Sequence, residues 1–303
     1  MPFSGDASLF DHKPGNAAIA ALVALGFMWL FPQTRSARSR ALWSIMALAV
    51  MAISATQNRG GLLGATAGEA VGLAYLPSRY RLRLIMRAVA VIVIGLGLAV
   101  QLNLKLPGAT PGSRPFSASQ VVSQVLSIKG AAGGAAGGTV GARDLLWTLV
   151  YQRQVADGRL IDGFGFGVNL PLLVNDTQVT GGSDPLRSPH NSHDDVLARL
   201  GLIGISLWIA LWLGWYWRMV MGCWRLARRG MHTRRQVGVL CMMVVTAILV
   251  SSFFDPQLEG AQVAALMWTA FGIGVAVTSF RGWFGWQTPA SAPEPPLPQR
   301  ARP

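Results

Sequence analysis

The sequence predicts an all-α fold, a polytopic membrane helix bundle of about seven transmembrane helices with one large extracytoplasmic loop domain. Composition is the first reason, because 51% of the 303 residues are apolar, only 13% are charged and the mean hydropathy is +0.40. Such values are untypical of a water-soluble chain of this length. The second reason is that the apolar residues are gathered into runs of the length that crosses about 30 Å of hydrocarbon as a helix.

Seven apolar runs account for the predicted spans. Each is long enough, or nearly long enough, to form a membrane-crossing helix. The third run is the weakest, since it is short, rich in glycine and contains Glu69, and its assignment depends on the distribution of charge. The runs cover residues 16–31, 41–56, 62–76, 84–102, 200–217, 237–254 and 262–280.

The basic residues determine the predicted orientation. The formal net charge is +13, and the arginine clusters fall on one side only if all seven runs cross. Lys and Arg accumulate in cytoplasmic loops, so we predict that the N-terminus lies outside and the C-terminus in the cytoplasm. The positive charge then indicates membrane lipids as partners and not nucleic acid. The clusters are Arg35, Arg38 and Arg40; Arg79, Arg81, Arg83 and Arg87; Arg218, Arg225, Arg228, Arg229, Arg234 and Arg235; and Arg281, Arg300 and Arg302.

This topology divides the chain into four parts. Residues 1–102 hold the first four spans, and residues 103–199 form the extracytoplasmic loop domain. Residues 200–281 hold the last three spans, and residues 282–303 form a proline-rich cytoplasmic tail with the composition of a disordered segment.

Two segments of the loop domain have distinct patterns. The glycine-alanine tract at 131–138 predicts a flexible hinge, because it favours neither helix nor strand. Residues 140–156 place apolar and charged side chains at helical spacing, which predicts an amphipathic helix along the outer membrane interface.

Two arginines lie on the predicted outer side, where the accumulation of Lys and Arg in cytoplasmic loops does not explain them. Arg59 stands alone between the second and third runs, and Arg143 opens the interfacial helix. A guanidinium group stays charged at every working pH and matches phosphate oxygens with paired donors, so the two are candidates to bind a diphosphate. The alternatives are that Arg59 is a snorkelling anchor and that Arg143 pairs with Asp144.

His190 lies just before the fifth run, where water meets lipid. An imidazole there can abstract a proton from an incoming hydroxyl. Its neighbours Asn191, His193, Asp194 and Asp195 also allow a metal site or a plain surface loop, but no second group with ligand spacing accompanies them and we expect no metal. The two aspartates are expected to cap and charge the N-terminus of the fifth span.

Glycines mark a further candidate site. Gly163, Gly165 and Gly167 alternate with phenylalanine, without the strand-to-helix unit or lysine of a nucleotide-binding loop. They predict a tight turn that a ligand or another loop can approach closely, and Gly165, Gly167 and Asn191 are the further candidate substrate-binding residues.

Three residues within the predicted spans or at their cytoplasmic ends complete the candidates. Glu69 is either functional or paired with a basic or polar neighbour among the helices. Cys223 and Cys241 are too few for a disulfide framework and are expected to be packing thiols.

The order of these features resembles the O-antigen ligase and O-antigen polymerase superfamily, including its exopolysaccharide polymerase-like members. The resemblance covers about residues 10–254 and depends on the order of the motifs. These are Gln57-Asn58-Arg59-Gly60-Gly61, Arg143-Asp144-Leu145-Leu146-Trp147, Gly163-Phe164-Gly165-Phe166-Gly167, His190-Asn191 and Leu200-Gly201-Leu202-Ile203-Gly204.

The resemblance implies a glycosyl transfer in the bacterial inner membrane. An undecaprenyl diphosphate carrier would donate a glycan to an acceptor sugar hydroxyl on the periplasmic side, with inversion and without metal or other cofactor. Arg59 and Arg143 would bind the diphosphate, and His190 would be the catalytic base. The acceptor would be another glycan or a lipid A core.

Members of that superfamily carry several further spans ahead of the polar segment matched by residues 10–16, so the chain resembles their C-terminal portion. The resemblance therefore implies a separate chain that supplies the missing N-terminal spans, a misassigned start of the sequence, or an inactive truncated member. A transporter subunit for a polysaccharide or a lipid-linked sugar is the alternative from another functional class.

Overall fold

The described part of the computed structural model is almost entirely helical. It comprises residues 14–34, 36–101, 105–106, 116–117, 135–174 and 191–279. A two-residue antiparallel pair, Lys105–Leu106 with Phe116–Ser117, is the exception. The α-helices are α1 (Pro14–Leu30), α2 (Ala37–Gln57), α3 (Arg59–Ala74), α4 (Ser78–Gln101), α5 (Ala135–Ala156), α6 (Leu170–Leu173), α7 (Ser192–Arg228), α8 (His232–Ser251) and α9 (Ala261–Thr278).

Each of the seven apolar runs falls on a helix, as the sequence predicted. Within the described residues, three helices are long and apolar enough to cross a membrane, namely Ser192–Arg228, His232–Ser251 and Ala261–Thr278. A fourth apolar helix, Gly15–Leu30, is shorter. That α2, α3 and α4 also cross remains a prediction.

Helix α8 is the centre of the bundle and packs against α1, α3, α7 and α9. Its inward residues are apolar and fully buried, as are those of α1. Both cysteines, Cys223 and Cys241, are buried with free thiols, which is the packing role expected of them. The buried set includes Ile19, Leu22, Leu25, Met242, Met243, Val245 and Ile248.

Glycines on one face of α3 allow its close contact with α8. They recur every fourth residue, so they lie on one side of the helix. An added Cβ at Gly64 would lie 2.3 Å from the carbonyl oxygen of Ala247, and one at Gly68 would lie 2.6 Å from that of Met243. Small residues at this spacing let membrane helices approach backbone to backbone. The stripe is Gly60, Gly64, Gly68 and Gly72.

Helix α3 runs antiparallel to α8 along its whole length. At one end, Asn58 Nδ2 donates to Asp255 Oδ2 at 3.2 Å, just beyond the end of α8. At the other end, a guanidinium nitrogen of Arg235 in the first turn of α8 donates to the carbonyl oxygen of Tyr75 at 3.1 Å. These contacts place α3 beside α8 from end to end.

Helix α4 is much less enclosed than α3. Its main packing partner is α2, and apolar side chains on several sides of it are exposed. In a bilayer such a surface faces lipid, because apolar side chains lose nothing there. The exposed residues include Leu82, Met86, Val93, Ile94 and Leu98.

The hinge predicted at 131–138 is wrong for its second half, because α5 begins at Ala135. Glycine costs about 1 kcal/mol relative to alanine inside a helix. The tract contains alanines as well, and the helix continues into a segment that buries Leu146 and Val150, which offsets that cost. Residues 140–156 are helical as predicted, whereas their position at a membrane interface remains a prediction. The predicted tail, 282–303, lies outside the described residues.

Candidate functional site

The predicted site residues lie on two helices and next to a third, and Arg143 does not open its helix as predicted, because α5 already begins at Ala135. Arg59 is the first residue of α3, and Arg143 lies in the first half of α5. The structure describes the backbone at these two positions. His190 lies outside the described residues and directly precedes Asn191, the residue that caps α7.

An apolar cavity of about 660 Å³ lies between α3, α5, the start of α7 and the end of α8. Its walls are aromatic and aliphatic, with Thr66 and Asn191 as the polar lining residues. Such a cavity is large enough for part of a lipid or sugar-sized ligand. The lining residues are Leu63, Thr66, Ala67, Trp147, Asn191, Val250, Phe253 and Phe254.

Three lining residues of the cavity are close in sequence to the predicted site residues. Leu63 follows Arg59 by four residues on α3, and Trp147 follows Arg143 by four residues on α5. Residues four apart lie on the same face of a helix. Asn191, also a lining residue, is the next residue after His190. Three segments far apart in the chain, α3, α5 and the start of α7, therefore line one cavity.

Asn58 sets where α3 begins. Its Oδ1 accepts a hydrogen bond from the backbone N–H of Gly61 at 2.8 Å, which caps α3. Its own N–H donates to the carbonyl oxygen of Ser54 at 2.9 Å, which ends α2. An asparagine in extended conformation thus separates the two helices and places Arg59 at the first helical position.

Asn191 has the same role at the start of α7. Its Oδ1 accepts from the N–H groups of His193 and Asp194, and its Nδ2 donates to the Asp194 carboxylate at 2.8 Å. The prediction that the aspartates cap this helix is therefore wrong. Asn191 is the cap because its side chain reaches back over the first turn, while Asp194 and Asp195 add negative charge to that turn.

His193 is fixed as a neutral imidazole by its two partners. The indole Nε1 of Trp208 donates to its Nδ1 at 3.1 Å, and the carbonyl oxygen of Leu249 lies 3.0 Å from its Nε2. An indole nitrogen can only donate and a carbonyl can only accept, so the proton is on Nε2. The ring also lies 4.1 Å, centroid to centroid, from Phe253 in the cavity wall. His193 therefore supports the wall.

The glycine-rich segment is a tight turn, as predicted. Gly163, Gly165 and Gly167 have φ values of 75°, 81° and 94°, which residues other than glycine rarely adopt. An added Cβ at Gly163 would lie 2.4 Å from the carbonyl of Arg199, so the close approach is to another segment of the chain. At Gly165 and Gly167 an added Cβ would meet nothing within 4 Å.

This turn completes a break in α7. Gly201 has φ 64° and ψ −162°, which interrupts the helical hydrogen bonds around it. The turn replaces them: Phe164 N–H donates to the Ala198 carbonyl at 2.8 Å, and Leu202 N–H donates to the Leu160 carbonyl at 2.9 Å. Backbone groups freed at a helix break need such partners where water is scarce.

Polar side chains join α5 to the first part of α7. Gln154 is 1% exposed and donates to the carbonyl oxygens of Arg159 and Leu197, both at 3.0 Å. Arg199 pairs with Asp195 at 2.8 Å and also donates to Val168. The bond from Gln154 to Leu197 holds α5 against α7, and the bond from Arg199 to Val168 joins α7 to the segment that follows α5.

Glu69 does not have the polar partner that one interpretation expected. Its side chain is 8% exposed, and neither carboxyl oxygen has a hydrogen-bond partner in the described structure. The residue lies between two positions of the glycine stripe, Gly68 and Gly72, at a depth where backbone and apolar side chains surround the helix. It is not a lining residue of the cavity, although Thr66, three residues before it on α3, is one.

Sequence reasoning missed Asp255, which follows the cavity wall residue Phe254 and binds Asn58. A carboxylate directly before Pro256 and directly after an apolar run, on the predicted outer side, was the available signal. The support that His193 gives to the cavity was missed as well, since its partners Trp208 and Leu249 lie 15 and 56 residues away.

Comparison with known proteins leaves the family open. No protein-family model matches the chain, and no curated protein is significantly similar to it. In the part of the chain that the structure describes, no group of three or more His, Cys, Asp or Glu side chains is placed to hold a metal ion.

Proposed function

We propose that this chain is a glycan ligase or polymerase of the bacterial inner membrane. It would transfer a glycan from an undecaprenyl diphosphate carrier to an acceptor sugar hydroxyl on the periplasmic side, as the resemblance to the O-antigen ligase and polymerase superfamily implies. The observation that carries the proposal is the cavity, because its walls lie one helical turn from Arg59 and Arg143 and one residue from His190.

The lining of the cavity supports a lipid-linked donor. Its surfaces are formed mainly by apolar and aromatic side chains, which suit the hydrocarbon of a carrier lipid. The diphosphate of such a donor needs cationic groups at the end of the cavity, and Arg59, the first residue of α3, and Arg143, inside α5, are both on the predicted outer side. One ligand with an apolar chain and an anionic head therefore fits both features.

The proposed reaction is a single inverting displacement. His190 takes the proton of the acceptor hydroxyl as its oxygen attacks the anomeric carbon of the donor. The new carbon–oxygen bond forms on the face opposite the leaving group, and the bond from the anomeric carbon to the diphosphate breaks. Arg59 and Arg143 stabilise the negative charge that collects on the departing undecaprenyl diphosphate. Ligase and polymerase would share these steps and differ in the acceptor.

A reconstituted transfer assay tests this function. Proteoliposomes would receive a lipid-linked oligosaccharide and an acceptor glycan, and the transfer product would be measured by mass spectrometry. We expect Arg59→Ala and Arg143→Ala each to lower kcat/KM by about 100-fold or more, and His190→Ala to lower kcat by a similar factor. Arg153→Ala is the matched control, since Arg153 is an exposed arginine of α5 paired with Asp157. Turnover that persists in the His190 and Arg143 variants would contradict the proposal.

Transport of a lipid-linked sugar is the second candidate, and Glu69 is the observation that favours it. A buried carboxyl group inside a membrane helix is costly and is commonly functional. Under this alternative, Glu69→Gln would abolish movement of substrate across the bilayer without affecting glycan transfer. Under the proposal, the same variant would leave transfer within about twofold of the wild type, because Glu69 lies outside the cavity lining.

A further inference from the structure

We infer that Asp255 is a positioning residue for the start of α3. It holds Asn58, and through Asn58 it fixes the helix end on which Arg59 stands beside the cavity. This inference rests on the glycan-transfer function proposed above. Asp255, Asn58 and Gln257 together form what we term the outer junction.

The outer junction is centred on one carboxylate oxygen. Asp255 Oδ2 accepts a hydrogen bond from Asn58 Nδ2 at 3.2 Å and another from Gln257 Nε2 at 3.3 Å. Gln257 is 4% exposed, and its backbone N–H donates to the Asp255 carbonyl at 2.7 Å. Hydrogen bonds to an ionised acceptor are stronger than those between neutral groups.

The same bond decides which way the Asn58 amide points. Asn58 Oδ1 must face Gly61 N–H to cap α3, and this leaves its NH2 group to find an acceptor. Asp255 provides that acceptor. Without this acceptor, the amide group of Asn58 can turn its oxygen away from Gly61. The cap of α3 then weakens, and the position of Arg59 is less well fixed.

The surroundings leave the outer junction little room to shift. An added Cβ at Gly15, in the first turn of α1, would lie 2.9 Å from Gln257 Nε2 and 3.0 Å from Asn58 Nδ2. One at Gly60 would lie 2.7 Å from Cβ of Phe254, the cavity wall residue before Asp255. The outer junction thus joins the starts of α1 and α3 to the chain segment that forms part of the wall.

Two substitutions separate a positioning role from a role for the charge. Asp255→Asn keeps a side-chain oxygen that can accept from both amides and removes the negative charge. Asp255→Ala removes the acceptor altogether. If Asp255 acts through Asn58, the alanine variant is impaired and the asparagine variant is close to wild type. If Asp255 takes part in the chemistry through its charge, both variants lose activity alike.

Hydrogen exchange and transfer should be measured on the same samples of full-length protein in nanodiscs. For Asp255→Ala we expect the Gly61 amide to exchange about tenfold faster and kcat/KM to fall by about tenfold, the effect of losing one charge-assisted hydrogen bond. For Asp255→Asn we expect both quantities to stay within about twofold of the wild type. Asp157→Ala and Asp157→Asn are the controls, since Asp157 is an acid bound to Arg153 away from the cavity.

A second variant keeps the inference testable if Asp255→Ala does not fold. Asn58→Ser retains a capping oxygen but has no NH2 group for Asp255. It should lower kcat/KM as much as the alanine change, and the double variant should be no worse than either single one.

Three results would overturn the inference: additive losses in the double variant, equal loss of transfer in Asp255→Asn and Asp255→Ala, or unchanged exchange of the Gly61 amide in Asp255→Ala. If the wild type shows no transfer, glycan transfer itself is contradicted. The exchange of Gly61 then decides the positioning role by itself.

Discussion

The two ends of α3 are held in different ways. At the end beside the cavity, the short side chains of Asn58 and Asp255 form directed hydrogen bonds to each other and to the helix backbone. At the opposite end, the long cationic side chain of Arg235 donates to the Tyr75 carbonyl. Short side chains with few rotamers position groups closely, whereas a long arginine tolerates movement. The difference indicates that the position of α3 is fixed more closely at the cavity end than at the opposite end.

Forcing α3 and α8 apart should have the largest effect, because their packing supports both ends of α3. In Gly64→Leu, the added Cβ would lie 2.3 Å from the Ala247 carbonyl, so α3 and α8 must separate. We expect a loss of about 3 kcal/mol in unfolding free energy, the upper end for overpacked sites, or no folded protein. Thermal unfolding in detergent would measure it. Gly272→Leu is the control, because an added Cβ there meets nothing within 4 Å, and equal losses in the two variants would refute the packing role.

Disturbing only the cavity end should have the next largest effect. In Gly201→Ala, the new Cβ would lie 2.1 Å from the Ile161 carbonyl in a residue with φ 64°. We expect a loss of about 2 kcal/mol, seen as faster proteolysis of the outer segments while α8 keeps its protection against hydrogen exchange. Gly158→Ala has a similar φ of 68° but open space around it, so it isolates backbone strain. Uniform destabilisation by Gly201→Ala would show that the two ends do not respond separately.

Weakening the cap beside His190 should have a smaller and local effect. Asn191→Ala removes the acceptor for the His193 and Asp194 amides, which should cost about 1 kcal/mol and speed exchange at those two amides. Asn191→Ser should restore most of the protection. Asn169→Ala, which removes the cap of the short helix α6, is the control. Glycan transfer should fall in Asn191→Ala and not in Asn169→Ala.

The end of α3 away from the cavity should be the least sensitive. Arg235→Lys keeps the positive charge but loses the directed bond to Tyr75. We expect stability to change by about 1 kcal/mol or less and kcat/KM to stay within about twofold of the wild type. A tenfold loss of transfer in this variant would remove the proposed distinction between the two ends.

The helices were predictable because their signal is local. Apolar runs and their lengths are read directly from the chain, and every run falls on a helix. The beginning of α5 at Ala135 was not predictable in the same way, since burial of Leu146 and Val150 further along the helix offsets its glycines. Composition also could not show how little α4 is enclosed.

The candidate site was predictable only in part, because it depends on contacts between distant segments. Arg59 and Arg143 were singled out by their charge on the predicted outer side. The bond from Asn58 to Asp255 joins residues 197 positions apart, and no local pattern indicates such a pair. The cap at Asn191 was assigned to the aspartates because sequence spacing alone does not show which side chain turns back over the helix.

Cysteine cross-linking tests the central claim most directly. In full-length protein with Cys223→Ser and Cys241→Ser, the changes Arg59→Cys, Arg143→Cys and His190→Cys would be combined in pairs. Intact cells would then be treated with a short, membrane-impermeant bifunctional thiol reagent. Arg59→Cys with Arg79→Cys is the control, because α3 separates these positions by about 24 Å. We predict that all three site pairs cross-link from outside and that the control pair does not. A site pair that fails to react, although both positions label singly from outside, would contradict a common cavity.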